Sequence, residues 1–225
     1  MYGRGYTQTF AYNPIGNLTT MAGVTQWYSD TAHDHAVTHV DGNRRFWYDA
    51  NGNMLTRVEM TPLGGAQAGG SQRITYTQQW DVENRLTVVT NTVSGEVTQF
   101  VYDGDGARVK KVDGSGATVY VGEIEVLLTG TLRITRTYYS AGGQLVAMRV
   151  LTETGNALYY LHSDHLGSTS LTTNSNGNVV ARQNYYPFGQ IRPGGTGTMP
   201  TDIGFTSQRL DATGLMHYRA RYYDP

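Results

Sequence analysis

The sequence predicts an all-β fold in which antiparallel hairpins are stacked one repeat after another. Three observations predict it: a composition poor in helix formers, a recurring turn motif, and strand-like flanks on either side of each turn. The 225 residues include 17 Tyr and 28 Gly. Glycine is therefore about 12%, against a typical ~7%. Threonine and valine are abundant while Lys, Glu and Leu are sparse, so β-branched and aromatic residues prevail over strong helix formers. An apolar fraction of 39% is low for a closed core but ordinary for a sheet with one wet face.

The motif is an aromatic residue, a short polar residue, two variable residues, then Gly or Asn. It occurs at Tyr12-Asn13-Pro14-Ile15-Gly16, Tyr48-Asp49-Ala50-Asn51-Gly52, Trp80-Asp81-Val82-Glu83-Asn84, Tyr102-Asp103-Gly104-Asp105-Gly106 and Tyr139-Ser140-Ala141-Gly142-Gly143. The aromatics are 36, 32, 22 and 37 residues apart, a loose period. Asp, Asn or Ser at position i with Gly at i+3 is the signature of a type I turn, and a left-handed last residue makes it a hairpin turn with a bulge. Only Gly or Asn enters that conformation cheaply. Positive φ is therefore expected at Gly52, Asn84, Gly106 and Gly214. Composition alone predicts about 1.5 Asp-x-x-Gly sequences, and five occur, starting at Asp49, Asp103, Asp113, Asp164 and Asp211. Strand composition surrounds them: Phe46-Trp47-Tyr48 and Met54–Val58 flank one turn, Phe100-Val101-Tyr102 and Arg108–Val112 another, and Thr118–Val121 and Glu123–Leu127 continue the series. Residues 30–37 are the one place where a short helix is expected. Thr61–Ser71 and Arg192–Thr201, rich in Gly and Pro, are expected as loops, the first a flexible excursion.

Several functions are disfavoured at this level. A formal charge of −1 with only 16% charged residues argues against a nucleic-acid binder working through bulk electrostatics. Without cysteine there is no disulfide scaffold, thiolate zinc site or cysteine nucleophile. No apolar run approaches the ~20 residues of a membrane span. No apolar stretch follows Met1–Gly5, so no signal peptide is visible. Export would use another route, or the chain is part of a longer exported one.

The Tyr-Asp turns, above all Arg45–Met54, resemble the repeat of the Rhs/YD-repeat family. Three further stretches resemble the family's repeat-associated core in sequence and order: Tyr159–Ser168, Asn176–Val180 with Tyr185-Tyr186-Pro187-Phe188-Gly189, and Gly214–Pro225. Rhs-type polymorphic toxins, teneurins and toxin-complex C components share a β-rich spiral sheet wound into a shell. The resemblance implies residues 1–150 as a YD-repeat sheet segment and residues 151–225 as a core-associated segment, truncated at its C-terminus. It also implies an aspartate-dependent self-cleavage just beyond that core, for which Asp224 is the carry-over candidate. Aspartyl chemistry needs two carboxyls sharing a proton, and the family's second one would lie downstream of Pro225. Asp224 is expected to be frayed. No catalytic, cofactor-binding or metal residue is assigned.

Two histidine groups invite a metal or acid–base reading. On an extended chain His162 and Asp164 would share a face and His165 would take the other, poor geometry for one ion. Asp164-His165-Leu166-Gly167 also fits the turn motif, which favours a structural role. His33-Asp34-His35 with His39 and Asp30 is the densest cluster, and on a helix His35 and His39 would share a face at i, i+4. A solvated polar loop is the preferred reading. The aromatics could form a sugar-binding surface, but cross-strand packing that holds hairpin register is preferred. The function expected is a non-enzymatic segment of an Rhs-type toxin-encapsulating shell, without cleavage site or cargo. The alternative is an extracellular glycan-binding or adhesion module. Expected partners are the rest of the shell or a second copy through open sheet edges, a toxin cargo, or a glycan, but no nucleic acid. The concave face, rich in aromatics, is expected to be open to water. The location expected is extracellular or cell-surface.

Overall fold

The computed structural model describes residues 7–62 and 71–225. It is nearly all β, as the composition predicts, and the described residues contain no α-helix. Two compact units are present: residues 1–84 with 89–95, and residues 85–88 with 96–225. The first unit contains β1 (Phe10–Tyr12), β2 (Leu18–Met21), β3 (Val24–Trp27), β4 (His39–Val40), β5 (Asn43–Arg44), β6 (Phe46–Tyr48), β7 (Met54–Pro62) and β8 (Ser71–Trp80). Strand β9 (Leu86–Asn91) is divided between the units. The second contains β10 (Val97–Tyr102), β11 (Arg108–Asp113), β12 (Gly116–Val121), β13 (Ile124–Thr129), β14 (Leu132–Ala141), β15 (Gln144–Leu151), β16 (Asn156–Ser163), β17 (Thr169–Asn174), β18 (Val179–Tyr185) and β19 (Ile191–Thr196). These ten follow one another in sequence order in one antiparallel sheet. A separate sheet closes the unit, β20 (Arg209–Leu210), β21 (Met216–Tyr218) and β22 (Arg221–Tyr223).

Turn chemistry builds these strands. At Asp103 the carboxylate accepts the backbone N–H of Asp105 at 3.0 Å and of Ala107 at 2.8 Å, while Gly106 N–H returns to Asp103 O at 3.1 Å. Asp49, Asp164, Asn13 and Asn174 organise their turns in the same way. Gly52, Asn84, Gly106 and Gly214 all have positive φ. Two of the motif's copies differ. Asp113 and Gly116 face each other across a two-residue hairpin loop, as do Ala141 and Gln144 around Gly142-Gly143. The side-chain-capped turns at Asn13, Asp49, Asp103 and Asp164 are each followed by a register shift, so one strand carries an extra residue and its side chains change face.

The aromatic before the turn has a second task. Tyr48 OH donates to Val37 O at 2.7 Å, Trp80 Nε1 to Met54 O at 2.8 Å, Tyr102 OH to Leu86 O at 2.7 Å and Tyr185 OH to Thr169 O at 3.1 Å. The ring packs and its polar tip ties the hairpin to chain laid down earlier, which explains Tyr and Trp in place of Phe.

Other expectations are revised. Residues 30–37 form turns, not a helix, because His33 N–H bonds Asp30 O and Ala36 N–H bonds His33 O in successive tight turns. Of Thr61–Ser71, Thr61, Pro62 and Ser71 lie in paired strands, and residues 63–70 lie outside the described residues. Arg192–Thr196 is an edge strand, not loop. A Cβ on Gly195 would fall 2.5 Å from Arg182 O, and one on Gly197 2.1 Å from Val180 O. These glycines permit close strand approach where a loop breaker was read.

In the second unit burial alternates along the strands. Thr98 and Phe100 are buried while Val97, Gln99 and Val101 are exposed. Tyr138, Met148 and Leu161 form a buried cluster joined by Leu145, Val150, Tyr159 and Ile203. The aromatic inner face expected to be open to water is, in this unit, covered by the C-terminal residues.

Gly106 (φ 81) and Gly104 stand in one turn, and open space surrounds the Cβ position of both. Gly106→Val is expected to cost about 1–3 kcal/mol from backbone strain alone, and Gly104→Val to stay within about 0.5 kcal/mol. Urea denaturation of the two variants checks this, and equal losses would refute the turn assignment.

Candidate functional site

The second unit gathers its charges where β20–β22 lie on the inner face of the sheet. The register shift after the Asp103 turn sets Arg108 against Tyr102 and Lys110 against Val101, so both Arg108 and Lys111 point inward. The partner comes from another copy of the turn motif. Asp211 closes its turn through the backbone, Gly214 N–H to Asp211 O at 2.9 Å, but its carboxylate reaches across to Arg108 Nη1 at 2.6 Å. Lys111 Nζ lies 3.6 Å from its other oxygen, and the Asp211 side chain is 0% exposed. Thr213 Oγ1 accepts the Leu215 N–H at this turn. The turns at Asn13, Asp49, Asp103, Asp164 and Asn174 use the side chain locally, and this one uses it to join two elements 103 residues apart.

A second group lies beside the first. Glu125 pairs with Arg136 at 2.6 Å and with Arg209, and Arg209 also pairs with Asp202 at 2.6 Å. The Tyr120 ring stands between the two buried guanidiniums, 5.1 Å from Arg108 and 4.9 Å from Arg209. Phe100 and Tyr138 cover their other sides. Tyr222 OH and Tyr102 OH are 2.9 Å apart, and Arg108 Nη1 lies 3.4 Å from Tyr222 OH. Arg108, Lys111, Arg136 and Arg209 thus face Asp113, Asp202, Glu125 and Asp211, an even balance.

Burial and neighbouring charge act on the cations, tyrosines and histidine of this cluster. Burial works against the Arg108 charge, but Asp211 together with Tyr120 and Tyr222 outweighs it, and the Arg108 pKa rises. Burial raises the hydroxyl pKa values of Tyr120, Tyr138 and Tyr222. His217, on β21, is pulled down to about 3 by burial first and then by Arg108 and Arg209. Its ring centroid is 5.2 Å from that of Tyr222. The arrangement can lock two sheets in one position, since a buried charge cannot leave its partner cheaply. It contains no exposed base or nucleophile.

The motifs Asp164–Ser168 and Tyr185–Gly189 converge on a second contact, the 3₁₀ turn Phe205–Ser207. Ser168 Oγ accepts Thr206 N–H at 3.1 Å, Ser207 Oγ donates to Gly167 O at 2.7 Å, and Thr169 N–H donates to Gly204 O at 3.1 Å. Phe205 packs over Gly189, where a Cβ would fall 2.7 Å from its ring, and lies 5.6 Å from the Tyr185 ring. Thr206 and Ser207 have φ of 48° and 60°, a left-handed pair held by these contacts.

The histidine groups go elsewhere. His33 Nδ1 bonds Asp30 Oδ2 at 3.0 Å, His35 Nδ1 bonds Asn17 Oδ1 at 2.6 Å, and His39 Nδ1 bonds Thr38 Oγ1 at 2.9 Å. His162 Nε2 bonds Thr173 Oγ1 on the outer face, and Asp164 caps its turn. The C-terminal residues, expected to fray, are tied down: Tyr223 OH donates to Phe188 O at 2.9 Å and Gln190 Nε2 to Pro225 O at 3.3 Å. Sequence reasoning missed Arg108, Glu125, Arg209 and His217. The available signal was charge at strand positions whose alternation points inward.

The teneurin YD-shell family model matches residues 4–225. The chain belongs to the teneurin YD-shell family. The resemblance read from its Tyr-Asp turns and closing motifs therefore holds. Among relatives, Teneurin-1 of Gallus gallus is 26% identical over 97% of this chain and 10% of its own length. The tRNA3(Ser)-specific nuclease WapA of Bacillus spizizenii is 27% identical over 96% of this chain and 9% of its own. The chain spans about a tenth of the length of these curated relatives. The crystal structure of TcdB2-TccC3 superposes over 97% of this chain and 16% of its own, with a TM-score of 0.59 and 15% identity, which establishes a shared fold. This YD-shell chain thus has the structural character of a shell segment, with its ion cluster inside the fold.

Two outcomes test the cluster. Asn replaces Asp in the capped turns at Asn13 and Asn174. Asp103→Asn is therefore expected to be nearly neutral, and Asp211→Asn to cost about 3–5 kcal/mol by leaving Arg108 unpaired. Thermal melts of both variants separate the two roles. The His217 pKa is lower folded than unfolded, so the unfolded state binds more protons between about pH 6.5 and 3. Stability is full above pH 6.5 and is expected to fall by about 2 kcal/mol at pH 5. His33 acts in the opposite sense, since Asp30 raises its pKa, so the readout must be local. Protection factors for hydrogen exchange at β20–β22, with the slowing of intrinsic exchange in acid divided out, are expected to fall on acidification, and to lose that dependence in His217→Gln.

Proposed function

We propose that this chain is a non-enzymatic wall segment of a toxin-encapsulating shell, in which residues 1–150 supply YD-repeat wall and residues 151–225 the core-associated segment that closes against it. The observation that carries this is the buried junction of Asp211, Arg108, Glu125 and Arg209, which ties a closing sheet to the wall through paired charges. The partners that fit are the remainder of the shell, or a second copy, along the unpaired side of edge strand β19. The interior would hold a toxin cargo. The setting proposed is extracellular or cell-surface, as part of an exported protein, and no described helix is long and apolar enough to cross a membrane. The glycan-binding alternative is disfavoured by the commitment of Tyr102, Tyr120, Tyr138, Tyr185 and Tyr222 to buried contacts.

Self-processing is the decisive contrast. The purified chain is expected to keep its intact mass of 24.8 kDa through long incubation, read by mass spectrometry. A discrete fragment that disappears in Asp224→Asn would overturn the non-enzymatic reading. Specific binding on a glycan array would favour the alternative.

A further inference from the structure

The outer face of the second unit's sheet carries an aliphatic stripe that the shell reading does not use. Side chains alternate along β12 and β13. Thr118, Tyr120 and Glu125 point inward, while Val119, Val121, Ile124, Val126 and Leu128 point outward. Val121 is 66% exposed, Ile124 41% and Leu128 45%. Register places Val121 beside Ile124, Val119 beside Val126 and Ala117 beside Leu128, so the five aliphatics form one strip two strands wide. Such a strip is an exposed apolar patch of the kind that marks an interaction surface.

Its flanks are cationic on both sides. Lys110 on β11 pairs directly with Val119. On the other side Arg133 on β14 pairs with Leu128, and Arg149 on β15 pairs with Thr137, the neighbour of Ile124. Lys110, Arg133 and Arg149 are all exposed. Across β10–β18 the strand carboxylates are Asp113 and Glu125, and both are committed inward, to Lys111 and to Arg136 and Arg209. The other carboxylates of this stretch, such as Asp105, Glu123 and Glu153, sit in turns. The outer face of these strands is therefore aliphatic at its centre and positive at its edges.

Dimensions narrow the occupant. Two strands and their margins span about 10 Å, which matches the 10–12 Å diameter of a helix. Six residues per strand give about 20 Å of length, or about 13 helical residues. A second copy of the same face would set cations against cations. An anionic bilayer would spread over Glu123, the exposed carboxylate in the turn joining β12 to β13. We infer that this face docks an acidic amphipathic helix of a partner protein, its apolar side on Val121, Ile124 and Leu128 and its flanking carboxylates facing Lys110, Arg133 and Arg149. The inference is independent of cargo, closure and cleavage.

Two helical peptides of about 18 residues, long enough to hold helix on a surface, provide the probe. Both carry Leu at i, i+3, i+4 and i+7 spacing, one with Glu along both flanks and one with Lys. Fluorescence anisotropy on the full chain is expected to show the Glu peptide binding at least about tenfold more tightly than the Lys peptide. The triple variant K110E/R133E/R149E is expected to reverse that preference, and V121D/I124D to weaken both peptides. Melting temperatures near the parent's confirm that these surface variants fold. Equal binding of the two peptides, no binding up to millimolar concentration, or a preference unchanged by the triple variant would overturn the inference. So would binding to phosphatidylcholine/phosphatidylserine vesicles without binding to the Glu peptide.

Discussion

The buried pair of Arg108 and Asp211 is the constraint around which the second unit is arranged. Neither charge can stay out of water without the other, so the turn that carries Asp211 has one acceptable position on the sheet. That position brings Tyr222 within reach of Tyr102, His217 against Tyr222, and Arg209 into the space between Tyr120 and Tyr138. Hydrophobic burial supplies most of the attraction between sheets, but it is indifferent to small slides. Fully desolvated ion pairs are not, because a displacement of an ångström leaves a charge without its counterion.

The same local chemistry builds the wall and its closure. A short polar side chain caps two backbone N–H groups, a left-handed residue ends the turn, and a bulge follows. At Asp103 that bulge decides which face Arg108 occupies. At Asp211 the capping side chain is released from its own turn and delivered to that arginine. Two copies of one turn thus form the two halves of the junction, one through backbone register and the other through its carboxylate. The aromatic that precedes the turn adds a hydrogen bond to earlier chain, so each hairpin is held by its neighbour and not by its own contacts alone.

Charge is sorted between the faces of the second unit's sheet. Carboxylates on its strands lie inside, neutralised by arginine and lysine, and exposed cations lie outside. The inner set is matched in charge, which suits a structural junction. The outer set has no strand carboxylate beside it among the described residues, which leaves that face positive although the whole chain carries a net charge of −1.

The amino-acid sequence by itself determined the fold class, the turn positions and the family, because these depend on local preferences: which residues tolerate a left-handed conformation, cap a turn or fill a pleat. Gly52, Asn84, Gly106 and Gly214 are legible for that reason. The helix expected over residues 30–37 failed where local signals were mixed, and Gly195 and Gly197 were read as loop breakers although they permit strands to touch. The junction was not legible. Asp211 shares the Asp-x-x-Gly spacing of Asp103, and although Leu210 stands where Tyr102 precedes Asp103, nothing local names its partner, a guanidinium presented by a strand 103 residues away. Pairing of buried charges is a long-range property, settled by the register of bulged strands and by the exclusion of water, and only the tertiary structure supplies both.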